Sequence, residues 1–237
     1  MSLRHFNVCT RMPSYENPML TIDNVLFTVH ENALKVLLVK RSIAPFKGMW
    51  SLPGGFVDPK IDTSTEDTAK RKLREKSGVQ PNYLEQLEAF SGLDRDPRGF
   101  AVTVVYFALI GYQQTSVHID TVNDAEWINV ESLENIELAF DHKKITNVAL
   151  QRLRQKTLYS MVPAFCLPEL FTISQLKSVI ETIIEKSVQR KSLMRRVDAS
   201  GMFEEVGEKA VTGKRQAQLY RIKEGVNIVN FERNLSV

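Results

Sequence analysis

Two arginines near residue 96 have the type and spacing that suit the binding of a diphosphate. Arg95 and Arg98 flank Pro97, and a proline stiffens a turn because its ring fixes φ. A guanidinium group presents its donors in a planar fork that matches two phosphate oxygens at once. The pattern predicts a phosphate-binding turn. The alternative is a surface turn in which Asp94 and Asp96 neutralise the arginines.

A second cationic cluster has the composition of a DNA-binding helix. Between Glu185 and Asp198 no acidic residue interrupts the five positive charges, which belong to Lys186, Arg190, Lys191, Arg195 and Arg196. On a recognition helix such side chains contact phosphates, and one or two of them read guanine edges. Lys214 and Arg215 would lie at the tip of a wing and contact the backbone or the minor groove. The alternative is a basic helix face that is simply solvated.

The segment from Gly55 to Val79 resembles the Nudix box, G-x5-E-x7-R-E-U-x-E-E-x-G-U, in which U is aliphatic. In that family the glutamates hold Mg²⁺ against a diphosphate, since hard cations need several carboxylate oxygens on one face. The matching positions are Arg71, Leu73, Glu75, Gly78 and Val79. The resemblance covers roughly residues 18–150 and includes a leading Leu-Pro-Gly-Gly.

The segment departs from the family pattern where the metal ligands belong. Lys72 and Lys76 occupy two glutamate positions, and the preceding loop is longer, so that Asp58 and Asp62 only approximate the usual acidic residue. At ~6 Å and an effective dielectric constant near 20, one ammonium group repels a divalent cation by on the order of 5 kcal/mol. We therefore predict no metal site and no catalytic residue.

The two lysines admit two interpretations. They lie on a solvated helix face, or their charge replaces Mg²⁺ in holding the phosphates of a ligand, together with Arg71 and Arg74 on the same helix.

The stretch from Phe90 to Phe100 resembles that of Nudix proteins that bind ADP-ribose, and of Nudix-related regulators of NAD metabolism. The expected ligand is ADP-ribose or a related NAD-derived nucleotide, and no cofactor is expected. Trp50 and Phe56 would stack on adenine or, alternatively, belong to the core. The predicted ligand-binding residues are Arg41, Trp50, Phe56, Arg71, Arg95 and Arg98.

Strands and helices that could position these residues alternate in the first half. Apolar, β-branched runs predict strands at 20–29, 33–40, 83–91, 100–110 and 125–128, and a short strand ending in a glycine turn at 50–56. Ser64 or Thr65 would cap a helix that ends at Gly78, and Asp141 would cap another that runs to Leu158. The fold class is α+β, a three-layer α-β-α sandwich around a mixed sheet.

The second half has the element order of a winged helix-turn-helix. Thr172 would cap an apolar helix, 186–189 would form the turn, and the basic helix would run from about Arg190 to Val197. Strands at 202–206 and 218–222 would flank a loop at 207–216. We predict a ligand-sensing domain at 1–150, and a linker and DNA-binding domain at 151–237.

The resemblance to the regulators of NAD metabolism extends through this second half. It includes Phe140–Ile145, Arg152–Ser160, Leu167–Thr172 and Ala217–Arg221. It implies a homodimeric repressor of NAD-metabolism genes that binds double-stranded operator DNA and is released by ADP-ribose.

The charge distribution agrees with two partners of different kinds. Residues 1–150 carry 16 Lys and Arg against 19 Asp and Glu, a net charge of −3, whereas residues 151–237 carry 15 against 9, a net charge of +6. A basic half suits a polyanion. The two cysteines show no metal-ligand or redox spacing and no apolar run is long enough for a bilayer, so we expect a cytoplasmic protein without a membrane partner.

Two alternatives of other classes remain open at this stage. An active Mg²⁺-dependent ADP-ribose pyrophosphatase would need Glu66, Glu75 and the loop aspartates to form an unusual metal site. An adaptor would use its winged helix to bind a protein, which the uninterrupted basic cluster opposes.

Overall fold

A seven-stranded mixed sheet forms the N-terminal half of the chain. The computed structural model describes residues 17–112, 122–212, 215–232 and 234–235. The strands are β1 (Met19–His30), β2 (Ala33–Arg41), β3 (Trp50–Ser51), β4 (Gly54–Phe56), β5 (Tyr83–Gly92), β6 (Ala101–Leu109) and β7 (Val122–Asn129). Their order is β3-β2-β1-β6-β5, with β4 paired to β1 and β7 paired to β2.

The central strand β1 explains why this sheet has helices on both faces. It pairs in parallel with β6 over Met19–Phe27 and antiparallel with β2. Val25 and Phe27 belong to one apolar cluster and Leu26 to another, and all three are fully buried. A strand buried on both faces needs a layer against each face. The predicted α-β-α sandwich is confirmed.

The hairpin between β1 and β2 turns at Glu31 and Asn32, in the gap between the strands predicted at 20–29 and 33–40. Both residues have positive φ, 52° and 57°, as a two-residue hairpin turn requires. The segment at 50–56 differs from the prediction, since its glycines belong to β4 and pair with β1. Gly54 is required there, because a Cβ would stand 2.3 Å from the carbonyl oxygen of Ile22.

Helix α1 (Thr65–Ser77) covers one face of the sheet. The Ser64 side chain accepts a hydrogen bond from the Asp67 backbone N–H at 3.1 Å, and Gly78 ends the helix with φ 71°. Both predicted ends of the helix are confirmed. Leu73 is fully buried in the second apolar cluster, which fixes the helix against the sheet.

Helix α2 (His142–Tyr159) covers the other face and leads into the second half. Ile145, Ala149 and Leu153 pack against the sheet, at helical spacing. Asp141 is the N-cap residue as predicted, but its side chain makes no capping hydrogen bond. The domain boundary predicted at residue 150 falls inside this uninterrupted helix.

The second half forms a winged helix-turn-helix. Its elements are β8 (Phe171–Thr172), α3 (Ile173–Ile184), α4 (Arg190–Ser200), β9 (Phe203–Thr212) and β10 (Arg215–Ile222), and the strand order is β8-β10-β9. Thr172 and Gln175 form a capping box at the start of α3. The region predicted as a loop at 207–216 is instead mostly paired strand, because β9 and β10 continue far beyond the apolar positions that revealed them.

The two halves share one apolar core. A single cluster of buried residues runs from the sheet through α2 and the 3₁₀ helix at Val162–Cys166 to α3 and α4. Leu153, Val162, Leu176 and Leu193 are all fully buried within it. In the described ranges, no helix is long and apolar enough to cross a membrane.

Candidate functional site

A cavity of about 250 Å³ opens between β4, α1, the β5–β6 turn and the start of α2. Its entrance is apolar, since Ile43 and Phe56 are about half exposed there. The lining residues are Thr21, Asp23, Arg41, Ile43, Leu52, Gly54, Gly55, Phe56, Lys72, Lys76, Arg95, Asp96, Arg98, Phe140 and His142. Five of them are lysine or arginine and two are aspartate, so the cavity has the charge of an anion site.

Two of the three lysines of α1 line this cavity. Lys72 and Lys76 lie one turn apart on the same face of the helix. Burial lowers the pKa of Lys76 to about 8, and the positive charges of Lys72 and Arg41 act in the same direction. An ammonium group with a lowered pKa gains most from an anion beside it, so this wall of the cavity suits a phosphate.

The two arginines of the β5–β6 turn have different partners. The Arg98 guanidinium pairs with Asp96 at 2.7 Å and lies 5.2 Å from the centre of the Phe56 ring. This contact holds the pKa of the Asp96 carboxyl below its usual range. Asp96 therefore neutralises Arg98, as expected for a surface turn. The partners of Arg95, in contrast, come from other elements of the fold.

Arg95 is buried at the back of the cavity, with 7% of its side chain exposed. Its Nη2 lies 2.9 Å from Asp141 Oδ1 and 3.4 Å from Asp23 Oδ2. Asp23 Oδ1 also lies 3.5 Å from His142 Nε2. His142 Nδ1 accepts a hydrogen bond from the Leu52 backbone N–H at 2.9 Å. One guanidinium therefore ties β1 and the start of α2 to the cavity wall.

Arg41 completes the cationic lining from the end of β2. Its Nε donates to the Pro45 carbonyl oxygen at 2.7 Å, and its guanidinium lies 4.9 Å from the centre of the Phe140 ring. Burial, aided by the charge of Arg98, lowers the pKa of Arg41.

Of the six residues predicted to bind ligand, the structure brings Arg41, Phe56, Arg95 and Arg98 to the cavity. Trp50 is half-buried and packs against the shared apolar core, with Lys40 over its ring at 5.7 Å.

Arg71 also stays out of the cavity. Its Nε donates to Asp62 at 2.7 Å and its Nη1 donates to Glu75 at 3.1 Å. This pairing holds the pKa of Asp62 far below its usual range. Arg71 therefore fixes the loop before α1 against the helix.

Asp23, Phe140 and His142 are among the cavity residues that the sequence did not identify as ligand candidates. Asp23 is the only charged residue among the apolar residues of β1 other than its terminal histidine, and a buried charge of this kind indicates a functional site. Phe140 and His142 lie beside the N-terminus of α2. Their position in the cavity depends on how α2 packs on the sheet, which no local pattern reveals.

The carboxylates of α1 do not fit a magnesium ion. Glu75 accepts hydrogen bonds from both Arg71 and Lys72 at 3.1 Å, and Asp62 is saturated by Arg71, Thr68 and the Asp58 backbone. Across the described ranges, no three His, Cys, Asp or Glu side chains come together in a group that could hold a metal ion. Lysine ammonium groups occupy the wall where a metal would face a diphosphate.

The basic surface of the second half centres on the start of α4. Lys186, Arg190, Lys191 and Arg195 are exposed, and Lys191 and Arg195 lie one turn apart. Arg190 and Lys191 form the N-terminus of α4, the end of a recognition helix that enters the major groove. Lys214 lies outside the described residues, and Arg215 is the first residue of β10.

Arg196 departs from the prediction that it faces DNA. It is buried, its Nη1 donates to the Leu158 carbonyl oxygen at 2.5 Å, and its guanidinium lies 4.7 Å from the centre of the Phe231 ring. The sequence could not separate Arg196 from Arg195, because neighbouring helix positions point about 100° apart and only the packing decides which one is covered.

The two halves match two family models. Residues 20–148 match the NUDIX domain, and residues 163–222 match the NrtR DNA-binding winged helix domain. The chain is 40% identical over 221 residues to the ADPR responsive transcriptional repressor NtrR of Acinetobacter baylyi. That match covers 93% of this chain and 88% of the relative.

Two solved structures of Shewanella oneidensis NrtR resemble the chain. The first, complexed with a 27mer DNA, has a TM-score of 0.83 and 44% identity, and the match covers 92% of this chain and 99% of that one. The second, its NUDIX domain complexed with ADP ribose, has a TM-score of 0.58 and 47% identity over 59% of this chain and 90% of that one.

Proposed function

Because the chain belongs to the NrtR family, a Nudix domain followed by a DNA-binding winged helix domain, we propose that it is a transcriptional repressor released by ADP-ribose. Its targets would be genes of NAD metabolism. The observation that carries the proposal is a cationic cavity whose wall includes the first residue of α2, the helix that leads into the winged helix.

The diphosphate of ADP-ribose would lie against the lysines of α1. Lys72 and Lys76 supply there the positive charge that Mg²⁺ supplies in a Nudix hydrolase, and Arg95 is within the same cavity. The half-exposed Phe56 ring, with Arg98 beside it, offers an aromatic face at the entrance for adenine. These assignments leave Trp50 and Arg71 with structural roles.

This arrangement favours binding over hydrolysis. Cleavage of a diphosphate in a Nudix site needs a metal ion to polarise it and to activate water. Here Glu75 is already neutralised by two cationic side chains. A retained diphosphate is also what a sensor requires, since a ligand that the protein destroys does not report its own concentration.

The winged helix would bind operator DNA through Lys186, Arg190, Lys191 and Arg195, and Lys214 and Arg215 stay predicted contacts of the wing. We propose a homodimer, because two recognition helices read two half-sites one helical turn apart. A repressor works where the chromosome is, so we also propose a cytoplasmic location.

A mobility-shift titration tests the function directly. The labelled probe is the chromosomal DNA upstream of the protein's own gene, and ADP-ribose is added to the complex. We expect release of the DNA at saturating ADP-ribose, with AMP as a control nucleotide that lacks the diphosphate. DNA affinity that is unchanged at saturating ligand, in a protein that binds both, would contradict the sensor function.

A further inference from the structure

Helix α2 is held at its first residue by the wall of the cavity. The Asp141 carboxylate, which directly precedes the helix, accepts hydrogen bonds from Arg95 Nη2 at 2.9 Å and Nε at 3.2 Å. His142, the first helical residue, lies against Asp23 and is nearly fully buried. A molecule that enters the cavity therefore meets the groups that hold the start of this helix.

The other end of α2 is held by the DNA-binding half. The Leu158 carbonyl oxygen accepts hydrogen bonds from Arg196 of α4 and from the Leu235 backbone N–H at 2.6 Å. The Arg154 Nε donates to the Ile183 carbonyl oxygen, at the end of α3, at 3.2 Å. The last carbonyl groups of a helix lack partners within it, and a guanidinium group satisfies them well. Both helices of the winged helix-turn-helix are thus attached to α2.

Asp141 has two competing uses in this arrangement. An aspartate at the N-cap ordinarily accepts hydrogen bonds from N–H groups of the first helical turn. In this structure its side chain makes no such bond and is held by Arg95, and its backbone (φ −93°, ψ 19°) lies outside the extended region usual for a cap. The Ile145 backbone N–H already donates to the Asp141 carbonyl oxygen at 3.1 Å, so the helix start is formed, and capping requires the Asp141 backbone and side chain to turn together.

Asp23 offers no such freedom. It lies in the middle of β1, paired with β4 and β6, and its side chain is 9% exposed. The Asp141 side chain is 21% exposed and lies at the end of a helix. Of the two carboxylates that hold Arg95, Asp141 is the one that can leave.

We infer that Arg95 is the residue through which ligand and α2 are coupled, because a diphosphate in the cavity competes with Asp141 for its guanidinium group. The diphosphate attracts Arg95 and repels the Asp141 carboxylate. Once released, Asp141 caps its own helix, and the first turn of α2 leaves the position that it has in the free protein. Because α2 carries both DNA-binding helices at its far end, the winged helices of a dimer lose the spacing that the operator requires. The inference rests on the proposed function.

The substitution that tests it is Asp141→Asn. Asparagine caps helices as well as aspartate does but holds Arg95 without a charge, so the variant resembles the released state. We expect ADP-ribose to bind at least about threefold tighter, and DNA to bind more weakly without ligand. The coupling factor, which is the ratio of the DNA dissociation constants with and without saturating ADP-ribose, should fall from about tenfold or more to below about threefold.

Two further variants make the test specific. Glu134→Gln removes an exposed ion pair with Lys143, a residue in the first turn of α2 that does not line the cavity. This variant should leave the affinities for ADP-ribose and for DNA unchanged. Asp141→Glu keeps the charge that holds Arg95 and should retain most of the coupling. Isothermal titration calorimetry measures ADP-ribose binding, and fluorescence anisotropy measures binding to the labelled upstream DNA, on the full chain in each case.

The outcomes separate the inference from the proposed function. A wild-type chain that binds no ADP-ribose, or binds no DNA, contradicts the proposed function and the inference with it. A wild-type chain that shows coupling, together with an Asp141→Asn variant whose coupling factor and ligand affinity equal the wild-type values, overturns the inference alone. An equal loss of coupling in Glu134→Gln also overturns it, since any loosening of the helix start would then suffice. If Asp141→Asn does not fold, Asp141→Ser takes its place, since serine also caps helices without a charge: a coupling factor below about threefold supports the pairing with Arg95, and a wild-type coupling factor overturns it.

Discussion

Two lysines of α1 are the residues that favour a phosphate site over a metal site in the proposed sensor. Lys72 and Lys76 stand where a Nudix hydrolase has glutamates, and the structure turns both into the cavity. Of the two interpretations that the sequence allowed, a solvated helix face and a phosphate wall, the geometry favours the second.

The lowered pKa of Lys76 should make the proposed binding of ADP-ribose depend on pH. Its pKa is about 8 in the free protein, and the ammonium group is lost as pH rises through that value, whereas the diphosphate keeps its charge. ADP-ribose affinity should therefore fall roughly eightfold between about pH 7.5 and 9, which is the loss of the protonated fraction over that interval. Calorimetric titrations across this range measure it. Lys76→Gln should bind more weakly at pH 7.5 and show a flat profile, and an equally steep profile in that variant would refute the assignment.

The paired carboxylates of α1 predict that Mg²⁺ has no part in binding. The ADP-ribose dissociation constant of the wild-type chain should be the same with Mg²⁺ as with EDTA, because Glu75 is occupied by Arg71 and Lys72. Incubation of ADP-ribose with excess Mg²⁺ should release no AMP, as measured by chromatography. AMP release that disappears in Glu75→Gln would show instead that the chain is a hydrolase.

At the scale of elements, α4 presents one face to solvent and one to the core. Arg195 lies on the exposed face, whereas Arg196 is covered by α2 and by the segment after β10. Neighbouring arginines in one helix thus have different environments, since Arg195 is exposed to solvent and Arg196 packs against the protein itself.

This division predicts different salt dependences of DNA binding. Arg195→Ala should reduce the slope of log K against log salt by about one, since one phosphate contact is lost. Arg196→Ala should leave the slope unchanged and lower the thermal stability, because the Leu158 carbonyl oxygen loses one of its two hydrogen-bond donors. Anisotropy titrations at four salt concentrations and a thermal melt of each variant measure both effects. Equal changes of the slope in the two variants would contradict this division and show that Arg196 also contacts DNA.

At the scale of the whole molecule, the two halves are joined by a continuous core rather than by a linker. The cluster that fills the sheet extends through α2 into the winged helix. A common core lets a change at the cavity reach α4, since packed elements move as units.

The shared core predicts that both halves unfold in one transition. Leu153→Ala removes a fully buried side chain of α2 and should lower the free energy of unfolding by about 2–5 kcal/mol. The single calorimetric transition should move to lower temperature as a whole. Leu150→Ala, a partly buried neighbour on the same helix, serves as the milder control. Two separate transitions, of which only one moves, would show that the halves are independent.

The sequence alone determined the kinds of element and most of their ends, because the signals are local. Ser64, Gly78 and Thr172 mark helix ends through hydrogen bonds to residues within four positions, and alternating apolar runs mark the strands. It also predicted the loss of the metal-binding pattern, because Lys72 and Lys76 occupy two of the glutamate positions of that pattern.

Only the tertiary structure decided which of these residues meet. Arg95 pairs with Asp23 and Asp141, residues 72 and 46 positions away in the chain, and their approach depends on how β1 and α2 pack. Arg71 and Arg196 looked like binding residues because an arginine has the same local pattern whether it faces a ligand or a carbonyl oxygen of its own chain. The role of a charged side chain depends on the group that it contacts. That contact depends on long-range packing, which short spacings in a sequence do not encode.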